Sequence, residues 1–118
     1  MRSSAIAAAR AASAKNARDT VVLDVADIIG ITDYFVITHG TSARQVKAIA
    51  EEVERKLKEV GLAPAQTEGL SDASWVLMDY GGIFVHVFAE ETRGYYALER
   101  LWGDADPVEW EETAAAVS

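Results

Sequence analysis

Residues 75–89 read WVLMDYGGIFVHVFA, and the fold follows from how that stretch alternates. Two largely apolar runs, Trp75-Val76-Leu77-Met78-Asp79-Tyr80 and Ile83-Phe84-Val85-His86-Val87-Phe88-Ala89, flank Gly81-Gly82, a pair suited to a two-residue hairpin turn that needs positive φ. Successive side chains of a strand point to opposite sides, so Val76, Met78, Tyr80, Ile83, Val85 and Val87 share one face, an ordinary core surface. The other face carries Trp75, Leu77, Asp79, Phe84, His86 and Phe88, with Trp75 opposite Phe88, Leu77 opposite His86 and Asp79 opposite Phe84. Aromatic rings interleaved with two polar groups suit recognition of a partner, and equally suit burial beneath a helix.

Upstream of the hairpin, Asp33-Tyr34-Phe35-Val36-Ile37-Thr38-His39 is apolar in succession rather than in alternation, which predicts a strand covered on both faces near the sheet centre. Gly40-Thr41-Ser42 ends it and supplies a helix cap in Thr41 or Ser42. Val46, Ile49, Ala50, Val53, Leu57 and Val60 then recur as a helical stripe up to Gly61, with Glu51 and Arg55 paired on the polar side. Thr20-Val21-Val22-Leu23-Asp24-Val25 predicts an earlier strand, and Leu62–Glu68 a short edge strand in which Pro64 is tolerated. Residues 1–18 predict a helix with Ile6, Ala9 and Ser13 on one side, and Tyr95 to Trp102 a last helix that buries Tyr95, Leu98, Leu101 and Trp102. The order α, β, β, α, β, β, β, α gives the α/β class: a single mixed sheet flanked by helices. Residues 1–103 then form one domain. Asp104 to Ser118 contains five acids and no basic residue, and is expected as a mobile or weakly helical acidic tail.

The 118 residues include no cysteine, which removes disulfides, thiolate nucleophiles and cysteine metal sites together and accords with a cytoplasmic location. Charge is segregated: residues 1–18 hold four basic residues and no acid, while the rest hold seven basic against nineteen acidic residues, for a net charge of −8. An acidic body repels phosphate backbones, so a basic protein is a better electrostatic match than nucleic acid. The basic, alanine-rich start has the composition of an organellar transit peptide, but the helix is preferred because its removal would strip the following strand of a neighbour. No secretory hydrophobic region and no apolar run near 18 residues is present in the sequence.

Chemistry-bearing constellations are thin. A strand followed by Gly40-Thr41-Ser42 and a helix is arranged as an anion site or the glycine-serine entry of a nucleotidyltransferase would be. Phosphoryl transfer also needs metal-binding carboxylates, and Asp79 stands alone on its strand with Leu77 two positions before it. Capping explains the loop more simply, because every helix must satisfy its first N–H groups. Ser42 or Ser74 with His39 or His86 would be the makings of a hydrolase, but neither serine lies in a nucleophile elbow. The two histidines lack a ligand cluster. No catalytic residue, metal or cofactor is therefore expected. Arg93 reads either as a surface partner of Glu90 and Glu91 or as an interface anchor beside the aromatic face.

Several segments in order resemble the ribosomal silencing factor family, also called Iojap-like proteins, over about Thr20 to Asp104. They are Leu23-Asp24-Val25, Thr32-Asp33-Tyr34-Phe35-Val36-Ile37, Gly40-Thr41-Ser42 with Arg44-Gln45-Val46 and Ala48-Ile49, Glu68-Gly69, Trp75-Val76-Leu77 with Asp79-Tyr80-Gly81, Val85-His86-Val87-Phe88, and Arg93 with Tyr95 to Trp102. The resemblance implies a nucleotidyltransferase-like α/β fold without catalytic carboxylates. It also implies binding to the large ribosomal subunit through ribosomal protein L-fourteen, a steric block on subunit joining that lowers translation when nutrients are scarce, and a homodimer when free. On that footing the partner-binding residues are Trp75, Leu77, Asp79, His86, Phe88 and Arg93, with Trp75 as anchor. The alternative is a nucleotidyltransferase-like enzyme that binds nucleotide at Gly40-Thr41-Ser42.

Overall fold

The alanine-rich start forms helix α1 (Arg2–Ala14), and the apolar stripe beyond Ser42 forms helix α3 (Ala43–Glu59). The two pack against each other on one face of a mixed sheet. The computed structural model describes residues 1–96, 103 and 105–111. The remaining elements are β1 (Arg18–Asp24), the four-residue helix α2 (Ala26–Ile29), β2 (Tyr34–Gly40), β3 (Gln66–Glu68), β4 (Trp75–Asp79), β5 (Ile83–Ala89), α4 (Glu90–Tyr96) and β6 (Asp106–Pro107). Strand order is β3-β4-β5-β2-β1-β6, with β2 and β5 parallel at the centre and every other neighbouring pair antiparallel.

Burial follows chemistry closely at the centre. From Phe35 to Gly40 every residue of β2 is buried, as its unbroken apolar run predicts. The hairpin pairs Trp75 with Phe88, Leu77 with His86 and Asp79 with Phe84, the expected register. Its turn closes through Tyr80 N–H to the Ile83 carbonyl at 2.9 Å, and Gly81 supplies the positive φ of 83°. Val76, Met78, Ile83, Val85 and Val87 face α1 and α3 and are essentially inaccessible, joined by Val46, Ile49, Val53 and Leu57 from α3.

Helix α3 is bounded by local hydrogen bonds. Ser42 Oγ accepts from Gln45 N–H at 3.1 Å, so Ser42 is the cap. At the other end Gly61 N–H reaches Lys58 O and Leu62 N–H reaches Leu57 O, the paired bonds of a Schellman stop. Val60, expected on the buried stripe, is the capping residue and is exposed. Arg55 pairs with Glu52 and Glu59 rather than with Glu51.

Three further expectations change. Helix α1 buries Ala5, Ala8, Ala9, Ala11 and Ala12, leaving Ile6 half-buried and Ser13 exposed, because methyl-sized side chains let α1 approach α3 and the sheet. Helix α4 starts at Glu90, directly after β5, with acids in its first turn where the helix dipole favours them. The expected burial of Tyr95, Leu98, Leu101 and Trp102 concerns side chains outside the described residues. Finally, residues 105–111 were expected in a mobile or weakly helical tail, but β6 completes the sheet beside β1. Leu23 pairs with Pro107 and Asp24 with Asp106, and Val108 N–H bonds to Val22 O at 2.8 Å.

Trp110 secures that segment. Its indole N–H donates to Thr20 O at 2.9 Å, its carbonyl accepts from Arg10 Nε at 2.8 Å, and its ring packs on the main core. Replacing Trp110 by Ala should lower unfolding stability by about 1–3 kcal/mol through lost packing and an open β1 edge. A fall in the urea midpoint with unchanged far-ultraviolet circular dichroism is the expected result.

Candidate functional site

The sheet face turned away from α1 and α3 is built from three cross-strand rows. Trp75, Phe88, His39 and Arg18 form one; Leu77, His86, Ile37 and Val21 the next; Asp79, Phe84, Phe35, Leu23 and Pro107 the third. Leu23, Val25, Phe35, Ile37, Phe88 and Ala105 make a second apolar cluster there, with Val21, Trp75 and Phe84 packed on it half-buried. The rings are in contact: Trp75 and Phe88 at 5.0 Å between centroids, Phe35 edge-on to His86 at 4.7 Å, and Phe35 stacked with Phe84 at 6.1 Å.

The six residues expected to bind a partner lie on or beside this face but do not share one exposure. Trp75, Leu77 and Asp79 are half-buried and present surface. Phe88 is 0% exposed, His86 4% and Arg93 7%. Those three are buried: Phe88 and His86 back Trp75 and Leu77 in the same cross-strand rows, while Arg93 reaches in from α4 towards Arg18 and His39. The reason is tertiary: a central strand such as β5 is flanked by β2 and β4, and its face is closed by side chains from both. Phe84, which alternation places on the same face opposite Asp79, is half-buried and belongs with the exposed set. Its position in the strand was the available signal.

Three polar contacts brace this region. The Trp75 indole N–H donates to His86 Nδ1 at 3.2 Å. Arg93 Nη1, which neither reading of the sequence placed in the interior, donates to Arg18 O at 3.2 Å and lies 3.1 Å from His39 Nδ1. A guanidinium has no acceptor, so His39 accepts there as the neutral ring. Burial first, and then the Arg93 charge, lower the His39 pKa. The Arg18 carbonyl is reached because β1 changes register between Arg18 and Val21, and Thr38 Oγ1 also donates to it at 3.1 Å. Asp79 Oδ1 accepts from Gly81 N–H at 2.8 Å, so this acid braces the hairpin turn.

The loop that delivers Trp75 depends on Gly69. Its φ is +88°, and a Cβ there would overlap the Trp75 carbonyl. Its own carbonyl accepts from Ala73 N–H at 2.8 Å.

At the other candidate site, Gly40-Thr41-Ser42, backbone and side-chain groups are already engaged. Gln45 Oε1 accepts from Thr41 N–H at 2.7 Å and from its hydroxyl at 3.0 Å, while Gln45 Nε2 donates to Lys15 O and Asn16 O. The loop is thus a cap that also ties α3 to the end of α1. Ser74 Oγ donates to Asp72 and Ser42 Oγ accepts from Gln45, so neither serine is paired with a histidine. Among the described residues no cluster of three histidine, aspartate or glutamate side chains is placed to hold a metal.

Two outcomes follow. Gly69→Ala should destabilise the chain by more than about 2 kcal/mol, since it combines left-handed strain with a backbone overlap, and a lowered melting temperature would register it. Burial lowers the His86 pKa from 6.5 to about 4. The unfolded chain therefore binds a proton below pH 6.5 that the folded chain refuses until about pH 4. The stability contributed by neutral His86, of order 3 kcal/mol at most, is complete above pH 6.5 and is lost as pH falls towards 4. The imidazole Hε1 resonance should accordingly stay flat from pH 8 to 5.

Comparison with known proteins agrees with this architecture. Residues 1–118 match the family described as ribosomal silencing factor during starvation, a span wider than the Thr20–Asp104 resemblance. The ribosomal silencing factor RsfS of Bacillus subtilis (strain 168) is 47% identical over 98 residues, 83% of either chain. The mouse mitochondrial assembly of ribosomal large subunit protein 1 is 35% identical over 91 residues, 75% of this chain and 40% of that one. A crystal structure of a Chromobacterium violaceum protein superposes with a TM-score of 0.84 at 33% identity, covering 100% of this chain and 98% of the other. Sequence segments, sheet topology and these likenesses converge: the chain belongs to the ribosomal silencing factor family.

Proposed function

We propose that this protein binds the large ribosomal subunit through ribosomal protein L-fourteen and blocks docking of the small subunit by its bulk, reducing translation when nutrients are scarce. The observation that carries the reading is the half-exposed set Trp75, Leu77, Asp79 and Phe84, held on a rigid sheet face in a member of this family. Trp75 has the features of a binding anchor: a large amphipathic ring beside smaller contacts, backed by a packed floor. A net charge of −8 favours a basic protein over a phosphate backbone and hastens encounter with it. The name of the mouse relative likewise links that protein to the ribosomal large subunit, in its assembly.

The action requires occupancy rather than turnover, so no catalytic group or cofactor enters it, and it belongs in the cytoplasm where subunits join. Among the described residues no helix is long and apolar enough to cross a membrane. In the free protein a homodimer would shield the same half-apolar face. The alternative use of Gly40-Thr41-Ser42 as a nucleotide site is disfavoured by the Gln45 and Ser42 bonds that occupy it.

Trp75→Ala should weaken co-sedimentation with isolated large subunits about 30-fold, the size of a hot-spot loss, with the far-ultraviolet circular dichroism of the parent retained while the melting temperature falls, because the variant also loses the Phe88 contact and leaves His86 Nδ1 unpaired. The parent should slow subunit joining followed by light scattering, and the variant should not. Tight binding of nucleotide and Mg²⁺ with no effect on joining would overturn the reading.

A further inference from the structure

His86 occupies a place where an apolar residue would serve packing better. It is 4% exposed, edge-on to Phe35 and parallel to Phe88 within 7° at 6.1 Å. Leu77 and Ile37 lie beside it in the same cross-strand row. Its Nε2 is buried without a hydrogen-bond partner among the described residues. A buried polar atom left unsatisfied costs stability that phenylalanine or leucine at this position would not incur. The ring nitrogen that is used is Nδ1, and what it holds is the Trp75 indole at 3.2 Å. An indole nitrogen only donates, so Nδ1 accepts and the imidazole proton sits on Nε2.

Trp75 differs from His86 in being half-exposed, at the start of β4 and directly after a loop. Ring contacts such as that with Phe88 limit where the indole lies. A hydrogen bond adds direction, because it selects the one rotation of the ring that aims Nε1 at the strand beneath. Resting on the reading of this face as the contact surface, we propose that His86 is a positioning residue: its Nδ1 fixes the Trp75 indole in its binding orientation before a partner arrives. The affinity gained is the ordering cost that binding no longer has to meet. The polar atom beneath an otherwise apolar cluster is then explained by what it orients.

The test uses the full chain, with the indole N–H signals followed by ¹H–¹⁵N correlation spectra and Trp75 assigned by its absence in Trp75→Phe. In His86→Phe the Trp75 indole signal should move upfield and exchange faster with solvent, and affinity for isolated large subunits should fall about three- to tenfold. His86→Asn, whose amide oxygen can take the place of Nδ1, should restore the indole signal and most of the affinity. His86→Gln, which reaches instead towards the place of Nε2, should restore neither. Should His86→Phe not fold, the Asn and Gln variants carry the same comparison. An indole signal unmoved by His86→Phe, or binding that depends on Trp75 but not on His86, overturns the positioning role alone. Binding indifferent to Trp75→Ala overturns the contact surface itself, and with it the role of the bond, however the indole signal behaves.

Discussion

Seven residue pairs between β2 and β5, from Tyr34 with Ile83 to Gly40 with Ala89, join distant parts of the chain in one parallel register. Everything else in the molecule is referred to that seam. Because side chains alternate, the register decides at once that Val36, Thr38, Val85 and Val87 face the helices and that Phe35, Ile37, Phe84 and His86 face the other way. A slip of β5 by one residue would turn His86 towards α3 and carry Val85 and Val87 to the opposite face. Turns at Gly81 and caps at Ser42 are local devices that deliver the strands; the seam determines which chemistry each side of the sheet carries.

The second face combines apolar rows with two histidines in accepting roles. His86 accepts from an indole and His39 from a guanidinium, so both must be neutral, and burial keeps them so by penalising the charged ring. With its pKa near 4, His86 keeps that neutral state well below neutral pH, although it belongs to the residue type most given to titrating near it. Arg93 plays a corresponding part from α4, its Nη1 directed inward to the β1 backbone and His39.

Elements with a strong internal period were legible in the sequence. The hairpin register, the buried run of β2 and the stripe of α3 rest on alternation or 3.6-residue recurrence, whereas of the edge strand expected over Leu62–Glu68 only Gln66–Glu68 forms, with Pro64 outside it. Helix α1 was legible as a helix but not in its orientation, since alanine occurs on every side of it and only packing chooses Ala5, Ala8, Ala9 and Ala12. The β6 segment was hidden by composition: its acids read as a solvated tail, while its fixation depends on Val22 and Thr20, far away in sequence. Within the site, alternation identified the face and its pairings. It did not distinguish Trp75 and Leu77, which reach the surface, from His86 and Phe88, which do not, because that depends on neighbouring strands rather than on the strand itself.

Strand β1 would, without residues 106–108, display an unpaired ladder along an acid-flanked, valine-rich segment. As built, the sheet ends in β6, two residues long, on one side and in β3, three residues long and carrying Glu68, on the other. Neither margin is long enough to template another strand, so stacking of copies edge to edge into fibres is suppressed at both ends. Among the described residues the aromatic face is thus framed by short strand margins, which offer little backbone ladder through which that face could be drawn into cross-β growth.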